Sequence, residues 1–370
     1  MSRPLEIRRG GGKESRLDPI ENIFYTHRYV KSSRISINDV AKRAGVSITS
    51  VSRIINNVDY PVSADIRSRV EDAVRELNYL PNAAAQGLRS TFSNVIGMIV
   101  RDIENSHFAE IAKGATERAM AHGYLCFVCN TGRSATNELS FHELLWKHRV
   151  QGIILSGGGL DSEDYRQMLH RQLERGRRFG LRLVSCAPQG VDIPLVSIDY
   201  KEVARLITAN LADAGHRRIA FVTGREDVLT CRDHVLGYRG ELAARGIPHD
   251  PNLVGFGDFT EEAGYELCRA LLDRGTGMTA ICCGSDPMAV GVIHALSERG
   301  LSVPRDISVA GIGDMPMSRY LSPPLTSVRI PRYEIGVQAV EAILAEDEAP
   351  SRRILPVALV ERQSVKRLIG

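Results

Sequence analysis

The sequence predicts an all-α helix-turn-helix head joined to an α/β body of two doubly wound parallel-sheet lobes. Three observations carry this expectation. Two short amphipathic patterns meet at one glycine between Ser36 and Asn57. From Asn94 onward, continuous apolar runs of strand length alternate with helical patterns. That rhythm restarts near Val196, and two runs of roughly 100 residues each argue for two similar lobes.

Composition sets the class. A chain of 370 residues, 43% hydrophobic and 25% charged, suits a soluble globular protein of two or three domains. No apolar run reaches the ~18 residues that a membrane span requires. No apolar h-region marks a secretory signal, so the expected location is the cytoplasm. Residues 1 to 90 hold 15 Lys+Arg against 10 Asp+Glu, while the whole chain nets only +3. A basic head on a mildly acidic body fits a nucleic-acid-binding module attached to something else.

Residues 1–34 are basic, contain Gly10, Gly11 and Gly12, and fit no periodic element, so a flexible N-terminal extension is expected. The head follows over residues 35–80. Ile37, Val40, Ala41 and Ala44 share one helical face, and small Ala41 and Ala44 allow close helix approach. Gly45 suits the tight turn, and Ser47 offers an oxygen as N-cap of the second helix. Val51, Ile54 and Ile55 form the apolar face of that helix. Ile48, Thr49, Ser52, Arg53 and Asn56 point elsewhere, and such donors suit phosphates and base edges. Ser63 caps a third helix whose stripe is Ile66, Val70, Ala73, Val74 and Leu77. Residues 81–93 read as a short helix and linker: Asn82 is a good N-cap, but Gly87 and the short length leave it unable to hold alone.

The body spans residues 94–366. Strands are expected at Val95 to Val100, Leu125 to Val128, Gly152 to Leu155 and Leu181 to Ser185. Their helices are Phe108 to His122, Asn137 to Lys147 and Asp164 to Glu174. After Val196 come helices Lys201 to Ala214, Asp233 to Ala244, Glu261 to Leu272 and Pro287 to Glu298. Between them lie strands Ile219 to Val222, Leu253-Val254, Ala280 to Cys283 and Ser308 to Ala310. The last helix is Tyr333 to Leu344, before a strand at Val357 to Leu359. YLCFVC around Cys126 and Cys129 looks like a buried strand. Residues three apart on a strand face opposite sides, so these cysteines make a poor metal pair, and all seven read as reduced thiols. No cofactor and no metal is expected.

The string DVAKRAGVS followed by SVSR resembles the head of the LacI family of bacterial transcription regulators. DAGHRRIAFVTG from Asp213, VPRDISVAGIGD from Val303 and SPPLTSVRIPRYEIG from Ser322 extend the resemblance over nearly all of residues 35 to 365. The family resemblance implies a body similar to periplasmic sugar-binding proteins, with three chain crossings placed near Val196, Thr326 and Leu355. One lobe is then about 94–195 and 327–354, the other about 196–326 and 355–366. It also implies a hinge helix in which Leu88 wedges into the minor groove. Gln86 stands where the family commonly has arginine.

On this reading Ile48, Thr49 and Arg53 face bases, while Ser47, Ser50, Ser52 and Asn56 hold phosphates. Asn82 and Leu88 complete the DNA contacts. The expected partners are double-stranded operator DNA, a small effector and a second copy of the chain, as homodimer or tetramer.

Ligands of doubly wound sheets meet the carboxyl ends of the strands. Those ends offer His107 and Phe108, then Ser156, in the first lobe. In the second they offer Asp199, His234, Phe259, Ser285, Asp286 and Asp314. The family usually has arginine at His234 and aspartate at Gly313, so the effector class stays open among sugars, sugar acids and sugar phosphates. No Walker loop, GxSxG elbow or HExxH occurs, and Asp161, Asp164, Asp286 and Asp314 are dispersed, so no enzyme is expected. The expected function is therefore a transcription regulator, usually a repressor in this family, of a carbohydrate or sugar-acid operon. The alternative is a small-molecule-binding protein that has lost operator reading or effector response.

Overall fold

The computed structural model describes residues 35–55, 61–80, 92–345 and 352–368. They form two separate compact units, the head and the body. In the head, α1 (Ile37–Ala44), α2 (Ile48–Ile55) and α3 (Ala64–Glu76) close one small core on Val40, Ala44, Val51, Ile54, Val70 and Ala73. Gly45 adopts φ 65°, ends α1 and turns the chain. Arg69 of α3 donates to the carbonyls of Ala44 at 2.6 Å and Gly45 at 3.2 Å, satisfying the end of α1 from across the head.

The first sheet of the body holds β1 (Val95–Val100), β2 (Leu125–Asn130), β3 (Gly152–Leu155), β4 (Arg182–Ser185) and β5 (Leu195–Ser197). Helices α4 (Ser106–Ala121), α5 (Ala135–Lys147) and α6 (Glu163–Arg178) connect its first four strands. The second lobe begins with α7 (Tyr200–Asp213), β6 (Ile219–Thr223), α8 (Leu229–Ala244) and β7 (Val254–Phe256). It continues through α9 (Glu261–Asp273), β8 (Ala280–Cys283), α10 (Asp286–Glu298), β9 (Ser308–Gly313) and β10 (Thr326–Arg329). The chain then returns to the first lobe with α11 (Arg332–Leu344) and β11 (Arg352–Ile354), and ends in the second with β12 (Ala358–Val360). Sheet orders are β11-β5-β4-β3-β1-β2 and β12-β10-β9-β8-β6-β7. Every pairing is parallel except β10 with β12.

Ser134, Ser162, Thr260 and Ser285 cap their helices through side-chain oxygens. Val228 makes no such bond, and α8 begins four residues before the Asp233 start expected from sequence. Three other expectations are corrected. Val196 does not open the second lobe, because it pairs with Arg353 in the first sheet. Residues 327–329 belong to the second sheet, paired with Gly311 to Gly313, so the chain crosses after Arg329. The strand around Cys126 is an edge strand rather than a buried one: Leu125 is 65% and Phe127 46% exposed, and both cysteines are half-buried. Cys126 packs against the core cluster that contains Ile96 and Met98, whereas Cys129 packs against the separate cluster that contains Ile99. No group of described residues could hold a metal ion.

Helices pair through glycines where backbone meets backbone. A Cβ on Gly114 of α4 would lie 2.1 Å from the Tyr333 carbonyl, and one on Gly336 of α11 2.0 Å from the Ile111 carbonyl. Gly264 and Gly291 do the same between α9 and α10. Gly336→Ala is therefore expected to destabilise the body by about 1–3 kcal/mol, against the roughly 1 kcal/mol that alanine gains in a helix. Urea unfolding checks this; an unchanged or higher midpoint would show that the two helices part freely.

Candidate functional site

The outward surface of the head gathers on α2. Ser47 Oγ accepts from the Ser50 N–H at 3.1 Å and lies 2.9 Å from Ser50 Oγ, so Ser47 caps the helix as expected from sequence. Ile48 is 49% exposed, beside exposed Thr49 and half-exposed Ser50 and Arg53. One exposed isoleucine is ordinary; at the first turn of a helix carrying polar donors outward, it adds apolar surface that suits base edges. Ser52 differs from expectation. It is 8% exposed, turned inward beside Val51 and Ile54 where α2 packs against α1 and α3, so it is poorly placed for a phosphate. Asn56, Asn82 and Leu88 lie outside the described residues.

In the body, a cavity of about 80 Å³ lies between the lobes at the carboxyl ends of the strands. The first lobe contributes Asn105, His107, Phe108, Ser156 and Gly158. The second contributes Thr230, His234, Phe259 and Ser285 among others. Six of the nine body candidates therefore line one space: His107, Phe108, Ser156, His234, Phe259 and Ser285.

Their placement follows from local structure. Asn105 Oδ1 accepts from the His107 N–H at 2.9 Å, starting α4 and setting His107 in its first turn. Ser156 continues β3 and donates to the Ile99 carbonyl at 3.0 Å. Ser285 Oγ accepts from the Met288 N–H at 3.3 Å, as the cap of α10. His234 sits on the inner face of α8, 3% exposed, with ring centroids 5.5 Å from Tyr200 and 6.4 Å from Phe221. Its Nδ1 is 3.4 Å from Thr223 Oγ1, and its Nε2 is buried without a partner. Burial pushes His234 down to about 4. His107 is half-buried by surface area, yet protein encloses it, since its open side faces the cavity. Burial, then Arg332 and His234 nearby, push it down to about 3. Both imidazoles are thus neutral at neutral pH.

The three candidate aspartates are not among the lining residues. Asp199 spends its carboxylate on the Lys201 and Glu202 N–H groups at 2.9 and 3.2 Å, capping α7. Asp286 is fully buried and accepts from Met315 N at 2.7 Å and from Ser318 and Ser327 hydroxyls at 2.6 Å. Asp314 is bound by Arg329 and Arg362; burial works against its charge, but these partners hold it below the ordinary carboxylate range. It does not take the place of the aspartate that Gly313 replaces.

Sequence reasoning missed Asn105, Gly158, Tyr200, Thr230, Gly284, Ile312, Met315 and Ile330 in the lining. Thr230 lies one helical turn before His234 and was legible only with the true start of α8. Ile330 follows β10, a strand without a continuous apolar run. Gly158 has a packing role too, since a Cβ there would lie 2.8 Å from Thr230. The lobes also touch beside the cavity. The Leu229 N–H donates to the Gly159 carbonyl at 3.0 Å, the Asp161 N–H to the Asp227 carbonyl at 2.7 Å, and Arg133 pairs with Asp258 at 3.0 Å.

Residues 36–82 match the bacterial regulatory proteins of the lacI family, and residues 208–365 match a periplasmic binding protein-like domain. The chain is 32% identical over 337 residues to the HTH-type transcriptional repressor PurR of Aliivibrio salmonicida, covering 90% of this chain and 99% of that protein. It is 33% identical over 337 residues to catabolite control protein A of Priestia megaterium, with 90% and 99% covered. The lac repressor dimer bound to operator and the anti-inducer ONPF superposes with a TM-score of 0.80 at 27% identity, over 90% of this chain and 99% of that one.

Proposed function

The chain belongs to the lacI family of bacterial regulatory proteins, and on that footing we propose that it is a homodimeric repressor released or engaged by a small effector bound between its lobes. It is a DNA-binding transcription regulator with an effector domain, not an enzyme. Two heads on one dimer would set two α2 helices in successive major grooves of a near-palindromic operator. It would act in the cytoplasm; among the described residues no helix is long and apolar enough to cross a membrane.

The observation that carries the base-reading role is the outward set Ile48, Thr49 and Arg53 on a capped helix. Phosphates would fall to Ser47 and Ser50, with Asn56, Asn82 and Leu88 completing the contact. Arg53→Ala is expected to cost about 1–3 kcal/mol on operator DNA and to relax preference at one base position. Gel shifts on operator and random duplex test it. Equal loss on both would reduce Arg53 to a phosphate contact.

Effector control needs two lobe arrangements that bind ligand differently. The contacts from Gly159 and Asp161 to residues 227–229, and from Arg133 to Asp258, are present in the arrangement seen here. A ligand that favours or opposes them would bias the lobes and, through them, the paired heads.

A further inference from the structure

We propose that the effector is a small uncharged polyhydroxyl compound, and that His234 Nε2 is its principal hydrogen-bond partner. This rests on the reading of the inter-lobe cavity as the effector site. Among the described residues lining it there is no Asp, Glu, Lys or Arg. Its polar groups are the hydroxyls of Ser156, Thr230 and Ser285, the Asn105 amide and two neutral imidazoles, with the Tyr200 ring among them.

The carboxylates near the cavity, and Arg332, are committed elsewhere. Arg332 bonds Glu110 and the Gly313 carbonyl. Asp286 accepts three hydrogen bonds, and Asp314 is held by two arginines. Arg101 Nη2 donates to the Gly158 carbonyl, while its Nε is buried beside Gly157 without a partner; the side chain stays outside the lining. A phosphate or carboxylate in this space would give up its water with no counter-ion to replace it. A neutral hydroxyl loses far less, and recovers it from the hydroxyls and imidazoles already present.

His234 Nε2 fixes where the grip falls. Buried polar atoms without partners are rare in folded proteins, and each one calls for an explanation. This one belongs to a side chain that lines the cavity. Phe108, Phe259, Ile312 and Met315 give the same space apolar walls, which suit the less polar face of a sugar or polyol ring.

Calorimetric titration of the full-length protein tests the proposal with matched probes: ribose, glucose and ribitol, against ribose 5-phosphate, glucose 6-phosphate, ribonate and gluconate. The neutral members are expected to bind at least about tenfold more tightly than their charged counterparts. For the tightest neutral probe, His234→Leu is expected to weaken binding about ten- to hundredfold. His234→Gln, which keeps a polar group at the site, should retain most of it. Tighter binding of a phosphate or acid would overturn the proposal while leaving the cavity as effector site. So would His234→Leu binding like the parent. Binding by no probe of either kind, with operator binding intact, would instead overturn the cavity as effector site. The comparison of probes on the parent protein stands even where a variant fails to fold.

Discussion

Asp286→Ala is expected to destabilise the second lobe by roughly 3–5 kcal/mol. The carboxylate is 0% exposed and collects three donors from separate parts of the chain: Met315 N–H, Ser318 Oγ and Ser327 Oγ. It thereby ties the start of α10 to the turn after β9 and to β10. Burial alone pushes the carboxyl above its ordinary range, and those hydrogen bonds offset part of that. Alanine would remove the acceptor and leave three buried donors with nothing to bond. Gly311 shows how tight the site is, because a Cβ there would stand 2.3 Å from Asp286 Oδ1. Asp286→Asn should fall between parent and alanine, since one oxygen survives while a donor faces donors. Urea unfolding followed by circular dichroism measures both. An alanine variant within about 1 kcal/mol of the parent would mean that water or a shifted side chain replaces the carboxylate. The effect should reach ligand binding too, because Met315 lines the cavity.

Replacing Leu125 and Phe127 together by aspartate is expected to yield a folded monomer with operator affinity lowered about a hundredfold to ten-thousandfold. Both side chains lie on β2, the outer strand of the first sheet, and are 65% and 46% exposed. Met120 nearby is 72% and Val128 37% exposed. A run of apolar groups on a sheet edge invites association. The lac repressor is a dimer on its operator, and in the dimer proposed for this chain these residues would meet a second copy. Two carboxylates on each side would then face each other across the joint, so the repulsion is doubled by symmetry. Each head alone keeps its contacts but loses the gain from being linked to a second. Sedimentation velocity and operator titration report the two consequences separately. A double variant that still sediments as a dimer would move the joint to another face.

Much of the architecture is written in short-range patterns. Gly45, Ser47 and the stripe from Ile66 to Leu77 mark the head because caps and helical faces depend on residues within a few positions. Val95–Val100, Gly152–Leu155 and Ala280–Cys283 are strands with the bounds read from their apolar runs. His107, Phe108, Ser156, His234, Phe259 and Ser285 reach the cavity because strand ends in this architecture converge there.

Partners distant in sequence decided the rest. Asp286 and Asp314 look as available as Ser285 in a linear reading. Only folding brings Ser318 and Ser327 to the first, and Arg329 and Arg362 to the second. Val196 reads as the start of a lobe until Arg353, far along the chain, pairs with it in the first sheet. Ser52 reads as outward until the folded head buries it, and Leu125 reads as interior until β2 proves to be an outer strand. Local periodicity sets which elements form. Whether a polar group is spent or free, and whether an apolar one is covered, depends on neighbours supplied by the tertiary fold.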